Sequence, residues 1–260
     1  MGINSEICTN CNQCIDVCVR RNYSMDGKQE QTIFEDSRGC ILCGHCIAVC
    51  PQNAIIYKDM EDETLEFAAN QDPADLVAYK DLFQLMRSKR SVRRYKPQKV
   101  PKELIEKVID AMRYAPTGSN RRTMNCVVIS NEETIKLLVD SIIDLKESGA
   151  MVKRLRRLRD KGIDPIFHHA PHVVILHSKN PWDTRNSAIA LTYGMLSAQT
   201  LGLGSCWIGM AHGTMNDSEK IRTQIAGIQD YVLGVIALGY PAVKYYRAPP
   251  RPPFEESWLD

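Results

Sequence analysis

Apolar residues recur at helical spacing along the last two thirds of the chain, with strand-like runs between them. Leu82, Leu85 and Met86 mark a short helix that ends in Arg87-Ser88-Lys89-Arg90. Pro101 suits a helix first turn, and Leu104, Ile105, Val108, Ile109 and Met112 follow it on one face. The pattern then predicts a strand over Cys126–Ser130, a helix over Glu132–Lys146 and a strand over His172–His177. Thr184–Leu201 reads as a long helix with small and apolar residues nearly all round (Ala188, Ile189, Ala190, Leu191, Gly194, Met195, Ala198), which predicts burial. Cys206–Ile208 reads as a short strand, Asp217–Ile225 as a helix and Tyr231–Gly239 as a buried strand. Lys244–Pro253 is basic and proline-rich, and should run extended over a surface, that of a second subunit included.

Upstream of Ala78 this rhythm is missing. Residues 1–58 offer only Gln31–Glu35 and Ala54–Tyr57 as short strands, and are too few to build a large core. Residues 59–78, with Asp59-Met60-Glu61-Asp62-Glu63 and Asn70-Gln71-Asp72-Pro73, read as an acidic linker. The expected organisation is therefore 1–58, a linker over 59–78, and a larger domain over 79–260.

Charge sharpens this division. The net charge of +2 conceals 5 Lys/Arg against 13 Asp/Glu in residues 1–76, and 28 against 18 in residues 77–260. An acidic part beside a basic one suits either electrostatic docking or two solubilising faces. Apolar runs such as Val173–Leu176 and Val232–Leu238 are too short to cross a bilayer, and the N-terminus has no basic region leading into an apolar core. The expectation is a cytoplasmic protein with no membrane partner. Cations and aromatics are not interleaved, which argues against nucleic acid.

Eight of the ten cysteines fall in the first fifty residues, as two runs: Cys8-Thr-Asn-Cys11-Asn-Gln-Cys14-Ile-Asp-Val-Cys18 and Cys40-Ile-Leu-Cys43-Gly-His-Cys46-Ile-Ala-Val-Cys50-Pro51. Thiolates at CxxC spacing suit zinc, but four cysteines in eleven residues, twice over, are denser than a zinc ribbon. The C-x2-C-x2-C-x3-C spacing resembles bacterial two-cluster ferredoxins, in which the fourth cysteine of each run serves the other cluster. That predicts Cys8, Cys11, Cys14 and Cys50 on one [4Fe–4S] centre, and Cys40, Cys43, Cys46 and Cys18 on the second. Only the second run ends in Cys-Pro; Val19 follows Cys18, which predicts a less constrained exit from the first loop. Cys126 and Cys206 lie in apolar stretches and read as inert thiols.

Three further stretches suit a flat, phosphorylated cofactor. Lys89-Arg90-Ser91-Val92-Arg93-Arg94-Tyr95 offers cations and a hydroxyl for a phosphate. Ala115-Pro116-Thr117-Gly118-Ser119-Asn120 is a tight polar turn, and Gly202-Leu203-Gly204-Ser205-Cys206-Trp207-Ile208-Gly209 allows close backbone approach. In this order, and with Gly239-Tyr240-Pro241 after the last strand, they resemble the nitroreductase family of flavoproteins over about residues 79–255. The resemblance implies FMN and an α+β fold with a central mixed sheet flanked by helices, preceded here by a small ferredoxin-like domain. It also implies a homodimer with FMN at the interface. By that resemblance Arg90, Ser91 and Arg93 would hold the phosphate and ribityl chain, with Lys89 beside them and Lys244 or Arg247 completing the site. Pro116, Thr117, Gly118 and Asn120 would line the ring. Ile208 and Gly209 would offer N–H groups to the flavin N5 edge. Where many members continue with Gln-Pro-Trp, this chain has Arg122-Thr123-Met124.

These parts together suggest a relay from a low-potential donor, ferredoxin-type or NAD(P)H, through two clusters to FMN and on to a nitroaromatic, quinone or activated alkene. No residue acts as acid or nucleophile in this reading. The alternative is an electron-transfer adaptor that serves a protein partner. His168, His169 and His172 lack a partner at metal spacing and read as loop or interface histidines. The basic stretch Lys153–Lys161, with Met151, Val152, Leu155 and Leu158 opposite, reads as a surface helix or as a lid.

Overall fold

A computed structural model describes residues 1–28, 30–58, 60, 62, 64–68 and 71–259. Asp59, Glu61, Glu63, Ala69 and Asn70 of the expected linker lie outside the described residues. The chain divides into two units. One is Met1–Pro73 with Thr117–Arg121, and the other is Ala74–Pro116 with Arg122–Asp260.

The first unit contains two short antiparallel ribbons. β1 (Gly2–Ile3) pairs with β4 (Ile55–Ile56), and β2 (Tyr23–Asp26) pairs with β3 (Gln31–Phe34). Two five-residue helices, α1 (Gln13–Val17) and α2 (His45–Val49), follow left-handed residues Asn12 and Gly44. Glycine enters that conformation freely and asparagine tolerates it, so the two halves turn alike with different residues. The repeat runs deeper than the cysteines. At an offset of 32 positions, Asn10 matches Leu42 and Arg21 matches Asn53, each with positive φ. The buried core of this unit is small: Cys14, Tyr23, Cys46 and Ile55.

In the second unit, β5 (Asn125–Ile129), β6 (His172–Ser178), β8 (Tyr231–Gly239) and β7 (Gly204–Trp207) form one sheet in that order, every neighbouring pair antiparallel. The parallel pairing that the described residues add to it is a single bridge, Ser91 to Ser205. Helices cover both faces, which is why β6 and β8 read as continuous apolar runs. α5 (Glu132–Leu145) and α8 (Gly209–Asp217) pack with Val173, Ile175, Val235 and Ala237. α4 (Lys102–Arg113) and α7 (Thr184–Thr200) pack with Val174, Leu176, Ile236 and Leu238. A bulge at Leu176/His177 shifts the register of β8, so Val232 and Val235 share one face although three positions apart.

The helix expected over Asp217–Ile225 is present over residues 219–225, and it closes in a π-helical turn at Ile221–Ile225. A further helix, α8, precedes it, and Gly209 and Gly213 hide that helix from a propensity reading. Two expectations are corrected. α7 is not buried all round: Ser187, Ala190, Leu191, Gly194 and Ala198 face the core, while Ile189 and Tyr193 are exposed. The exit from Cys18 is as constrained as that from Cys50. Arg21 N donates to Cys18 O at 2.9 Å, matching Asn53 N to Cys50 O, and the Arg20 guanidinium holds Arg38 O and Gly39 O.

α3 (Tyr79–Ser88) buries no residue, and Leu82, Phe83 and Met86 are exposed. α6 (Ala150–Asp160) is amphipathic. It buries Val152 and Leu155, and its Arg159 pairs with Asp144 at 2.7 Å.

His172 begins β6 rather than lying in a loop. Its Nε2 accepts Val100 N–H at 2.9 Å, which leaves Nδ1 to donate to Ser130 Oγ at 2.6 Å. Burial pushes its pKa below the usual 6.5. The unfolded chain therefore binds the proton more readily than the fold does. The neutral ring's contribution is complete above pH 6.5 and is lost as pH falls through 6.5 towards the lowered folded value. His172→Gln should therefore lose less stability than the parent between about pH 7.5 and about pH 5.5, as urea midpoints will show. Equal losses in the two proteins would contradict this assignment.

Candidate functional site

Each half of the first unit contributes three cysteines to one cavity and a fourth to the other. The first cavity is lined by Cys8, Cys11, Cys14 and Cys50. The second is lined by Cys18, Cys40, Cys43 and Cys46. The folding of C-x2-C-x2-C explains how the first three cysteines converge. The left-handed residues before and after the second cysteine curl the backbone round, and α1 or α2 then carries the third cysteine inward. The fourth crosses over because each short helix ends one residue before it.

The donor set fits [4Fe–4S] clusters. Four sulfurs surround each cavity, yet among the described residues no three His, Cys, Asp or Glu converge as a single metal ion requires. A cubane presents four separate irons, one to each thiolate. Backbone N–H groups also point at sulfur: Asn22 N at Cys18 Sγ (3.3 Å), Ala54 N at Cys50 Sγ (3.2 Å) and Leu42 N at Cys40 Sγ (3.4 Å). Burial pushes the Cys14 thiol up to about 11 and raises Cys46 as well. Such sulfurs become thiolates at neutral pH only when a cation takes the proton's place.

Thr117–Arg121 groups with this unit. The Asn120 amide donates to Ile41 O at 2.9 Å and Leu42 O at 2.8 Å, on the loop between Cys40 and Cys43. Asn120 thus supports a cluster loop, a role that its place in a polar turn did not reveal. Gly118 has open space where a Cβ would stand.

In the second unit the structure brings three of the sequence stretches to one sheet edge. Val92 N donates to Ser205 O, Lys96 N to Tyr240 O, and Ala242 N to Arg94 O. Arg90–Tyr95 is thereby laid along β7 and the end of β8. Close packing fixes it: a Cβ on Gly204 would stand 2.8 Å from Val92, and one on Gly239 would stand 2.6 Å from Pro171 and 3.0 Å from Tyr95. Tyr95 is buried and its hydroxyl donates to Val92 O at 2.7 Å. Ser91 and Arg93 remain exposed.

The cations differ in their engagement. Lys89 Nζ turns inward to Arg90 O at 2.7 Å and Ser205 O at 3.3 Å, and burial lowers its pKa. It pins the segment to the sheet. Arg90 folds back on the end of α3, bonding Lys89 O and Arg87 O. Lys244 and Arg247 are exposed beyond Pro241, with Lys244 Nζ 5.3 Å from the Tyr246 ring centre. Burial, and further off the charge of Arg93, hold the His168 pKa below its usual value. That proximity depends on how residues 163–170 loop back, so no local signal could have revealed it.

The N–H expected from Ile208 is not available, because it is donated to Val235 O at 2.8 Å as part of the sheet. Gly209 is the first residue of α8, where N–H groups lack partners within the helix. Pro116 is exposed. Thr123, where the motif departs, has a structural role. Its Oγ1 donates to the buried Asp183 at 2.6 Å, as does Ser178 Oγ at 2.7 Å. Burial raises the Cys126 thiol to about 11 and keeps it protonated. A separate cleft of about 550 Å³, lined by Lys99, Ser130, Glu132, Arg159 and His169, shares only Tyr95 with the expected cofactor stretches.

Comparison with known proteins agrees with both parts. Residues 86–240 match the Nitroreductase family, and residues 7–62 match the 4Fe-4S dicluster domain. A Methanothermobacter thermautotrophicus protein, provisionally named an NADH dehydrogenase/NAD(P)H nitroreductase, is 29% identical over 174 residues, covering 64% of this chain and 80% of its own. A Bacteroides fragilis nitroreductase crystallised with FMN is 27% identical, with a TM-score of 0.55 over 67% of this chain and 99% of that one. A Desulfitobacterium hafniense nitroreductase, at 18% identity and a TM-score of 0.57 over 68% of this chain and 97% of that one, shares the fold.

Proposed function

The chain belongs to the nitroreductase family and carries a 4Fe-4S dicluster domain, and from that premise we propose an FMN-dependent reductase that draws its electrons through two [4Fe–4S] clusters. The acceptor class proposed is a nitroaromatic, a quinone or an activated alkene. When bound, the clusters supply single electrons and FMN a paired, hydride-type delivery.

The observation that carries this reading is the meeting of Arg90–Tyr95, Gly202–Gly209 and Gly239–Pro241 at one edge of the sheet. This is where the family resemblance puts the cofactor. In that site Arg93 and Ser91 bind the phosphate end, Lys89 holds the segment in place, and the first turn of α8 faces the ring with the Gly209 N–H. Lys244 or Arg247 adds a further cation. A homodimer follows from the same reading, and the exposed Ile189 and Tyr193 of α7, Leu82 and Phe83 of α3, and Phe254 and Trp258 of the tail are suited to its interface.

Arg93→Ala removes an exposed cation without disturbing the core. FMN affinity should fall roughly tenfold or more, the value of one charge-assisted hydrogen bond, with little change in melting temperature. Fluorescence titration of the FMN-depleted protein measures it. Unchanged affinity would remove Arg93 from the phosphate site.

The function itself is tested by anaerobic reconstitution. Reduced ferredoxin and NAD(P)H are compared as donors across nitro, quinone and enone acceptors, with flavin and cluster absorbance followed separately. The reading expects cluster reduction to precede flavin reduction, and acceptor turnover to need both. Flavin that stays oxidised beside reduced clusters would refute the relay.

A further inference from the structure

The two halves of the cluster unit differ at two adjacent buried positions where their repeat predicts equivalence. At the 32-residue offset Asn22 corresponds to Ala54, and Tyr23 corresponds to Ile55, the pair that places a hydroxyl in one half only. Each begins the strand that leaves a fourth cysteine, β2 after Cys18 and β4 after Cys50. Each is buried, at 4% and 6% exposure. Ile55 lines the first cavity and Tyr23 lines the second. Phe34, 5.0 Å away in ring centres, fixes the Tyr23 ring. The phenol oxygen is buried and has no hydrogen-bond partner among the described residues. Tyr23 shares the second cavity and the small buried core of this unit with Cys46.

A buried hydroxyl without a partner costs free energy unless an acceptor forms nearby. Here the acceptor forms on cluster loading, when Cys46 becomes a ligating thiolate and Tyr23, a donor at neutral pH, keeps its proton. Reduction adds an electron to the cluster and so negative charge to its sulfurs, which a hydrogen bond stabilises. The matching main-chain bonds, Asn22 N to Cys18 and Ala54 N to Cys50, are shared by both halves and cannot separate the two potentials. The phenol occurs in one half alone.

We propose that Tyr23 raises the reduction potential of the second cluster, held by Cys18, Cys40, Cys43 and Cys46, by donating its phenolic hydrogen to Cys46. Electrons entering the pair then settle on that cluster. The inference rests on both cavities carrying clusters and is independent of the flavin reading.

The test uses the full chain, reconstituted anaerobically and checked for iron and sulfide. The two cluster potentials are followed by redox titration with paramagnetic resonance detection. Tyr23→Phe keeps the ring and removes the donor. Tyr23→Ile installs the residue that the other half already uses. Both should make one potential more negative by about a factor of ten in the one-electron equilibrium constant, or 59 mV, and leave the other in place. The shift should persist when Tyr23→Phe is combined with Cys50→Ala, which removes the first cluster. Potentials that stay put, that move together, or that shift with Ile but not Phe would overturn the proposal. Failure of both variants to load two clusters would also overturn it, since Tyr23 would then serve assembly. Missing FMN or absent turnover leaves these potentials readable, so a failure of the flavin reading is distinguishable.

Discussion

Cys50→Ala will halve the bound iron, from about eight to about four atoms per chain, and the lost cluster will be the one on Cys8, Cys11 and Cys14 rather than the one on its sequence neighbours. Cys50 lines the first cavity together with those three, while Cys18 completes the second. Alkylation under anaerobic conditions followed by mass spectrometry reads the outcome directly. Cys8, Cys11 and Cys14 should become modified, and Cys18, Cys40, Cys43 and Cys46 should stay protected. Modification of Cys40, Cys43 and Cys46, with Cys8, Cys11, Cys14 and Cys18 protected, would show that each run serves its own cluster. Folding will be affected as well. The unit buries only Tyr23 and Ile55 beside two cysteines in its core cluster, so the metal supplies much of what holds it together. Amide exchange over residues 1–57 should rise around the first cavity. Chelation of all iron should unfold this unit while the sheet of the second unit stays protected.

Gly204→Ala is expected to have the second large effect, on stability and on cofactor together. The new methyl would meet both γ-carbons and the β-carbon of Val92 at 2.8 to 2.9 Å, closer than such atoms approach. Val92 is buried and β-branched, so it cannot swing aside, and overpacking of this kind costs about 1–3 kcal/mol. For a domain of this size that is roughly 2–4 °C of melting temperature per kcal/mol. The strain falls on the backbone that carries Arg90–Tyr95 along β7, so FMN affinity should drop by about tenfold even though the glycine holds no side chain to contact it. The control is Val92→Ala in the same chain, which opens the space. The double variant should lose less stability than the sum of the two single losses, and FMN affinity should recover in part. Strict additivity would place the effect elsewhere.

Much of this was legible locally. The doubled C-x2-C-x2-C-x3-C run marks the candidate ligands because cluster binding needs converging thiolates at short spacing, and short spacing is visible along a chain. The strands over residues 126–130, 172–177 and 231–239 and the helices over residues 132–146 and 184–201 were legible because burial on a sheet or on one helix face leaves a period. The signal failed where small residues replaced that period, as in α8 with Gly209 and Gly213. It also failed where an element draws its packing from outside its own stretch, as with the half-exposed α7.

The sequence by itself determined the eight candidate cluster cysteines, the division into an acidic and a basic part, and the motifs at residues 90–95, 115–120 and 202–209. Only the tertiary structure decided how those groups are used. It spends the Ile208 N–H on Val235 and the Asn120 amide on the Cys40–Cys43 loop, turns Lys89 inward to Ser205, and buries Tyr23 beside Cys46 in the second cavity. The physical reason is that residue type and spacing fix what a group can donate or ligate, whereas its partner depends on backbone carbonyls and sulfurs brought near by long-range pairing. A buried polar group must take whichever partner the fold supplies, and that choice leaves no trace in the local pattern.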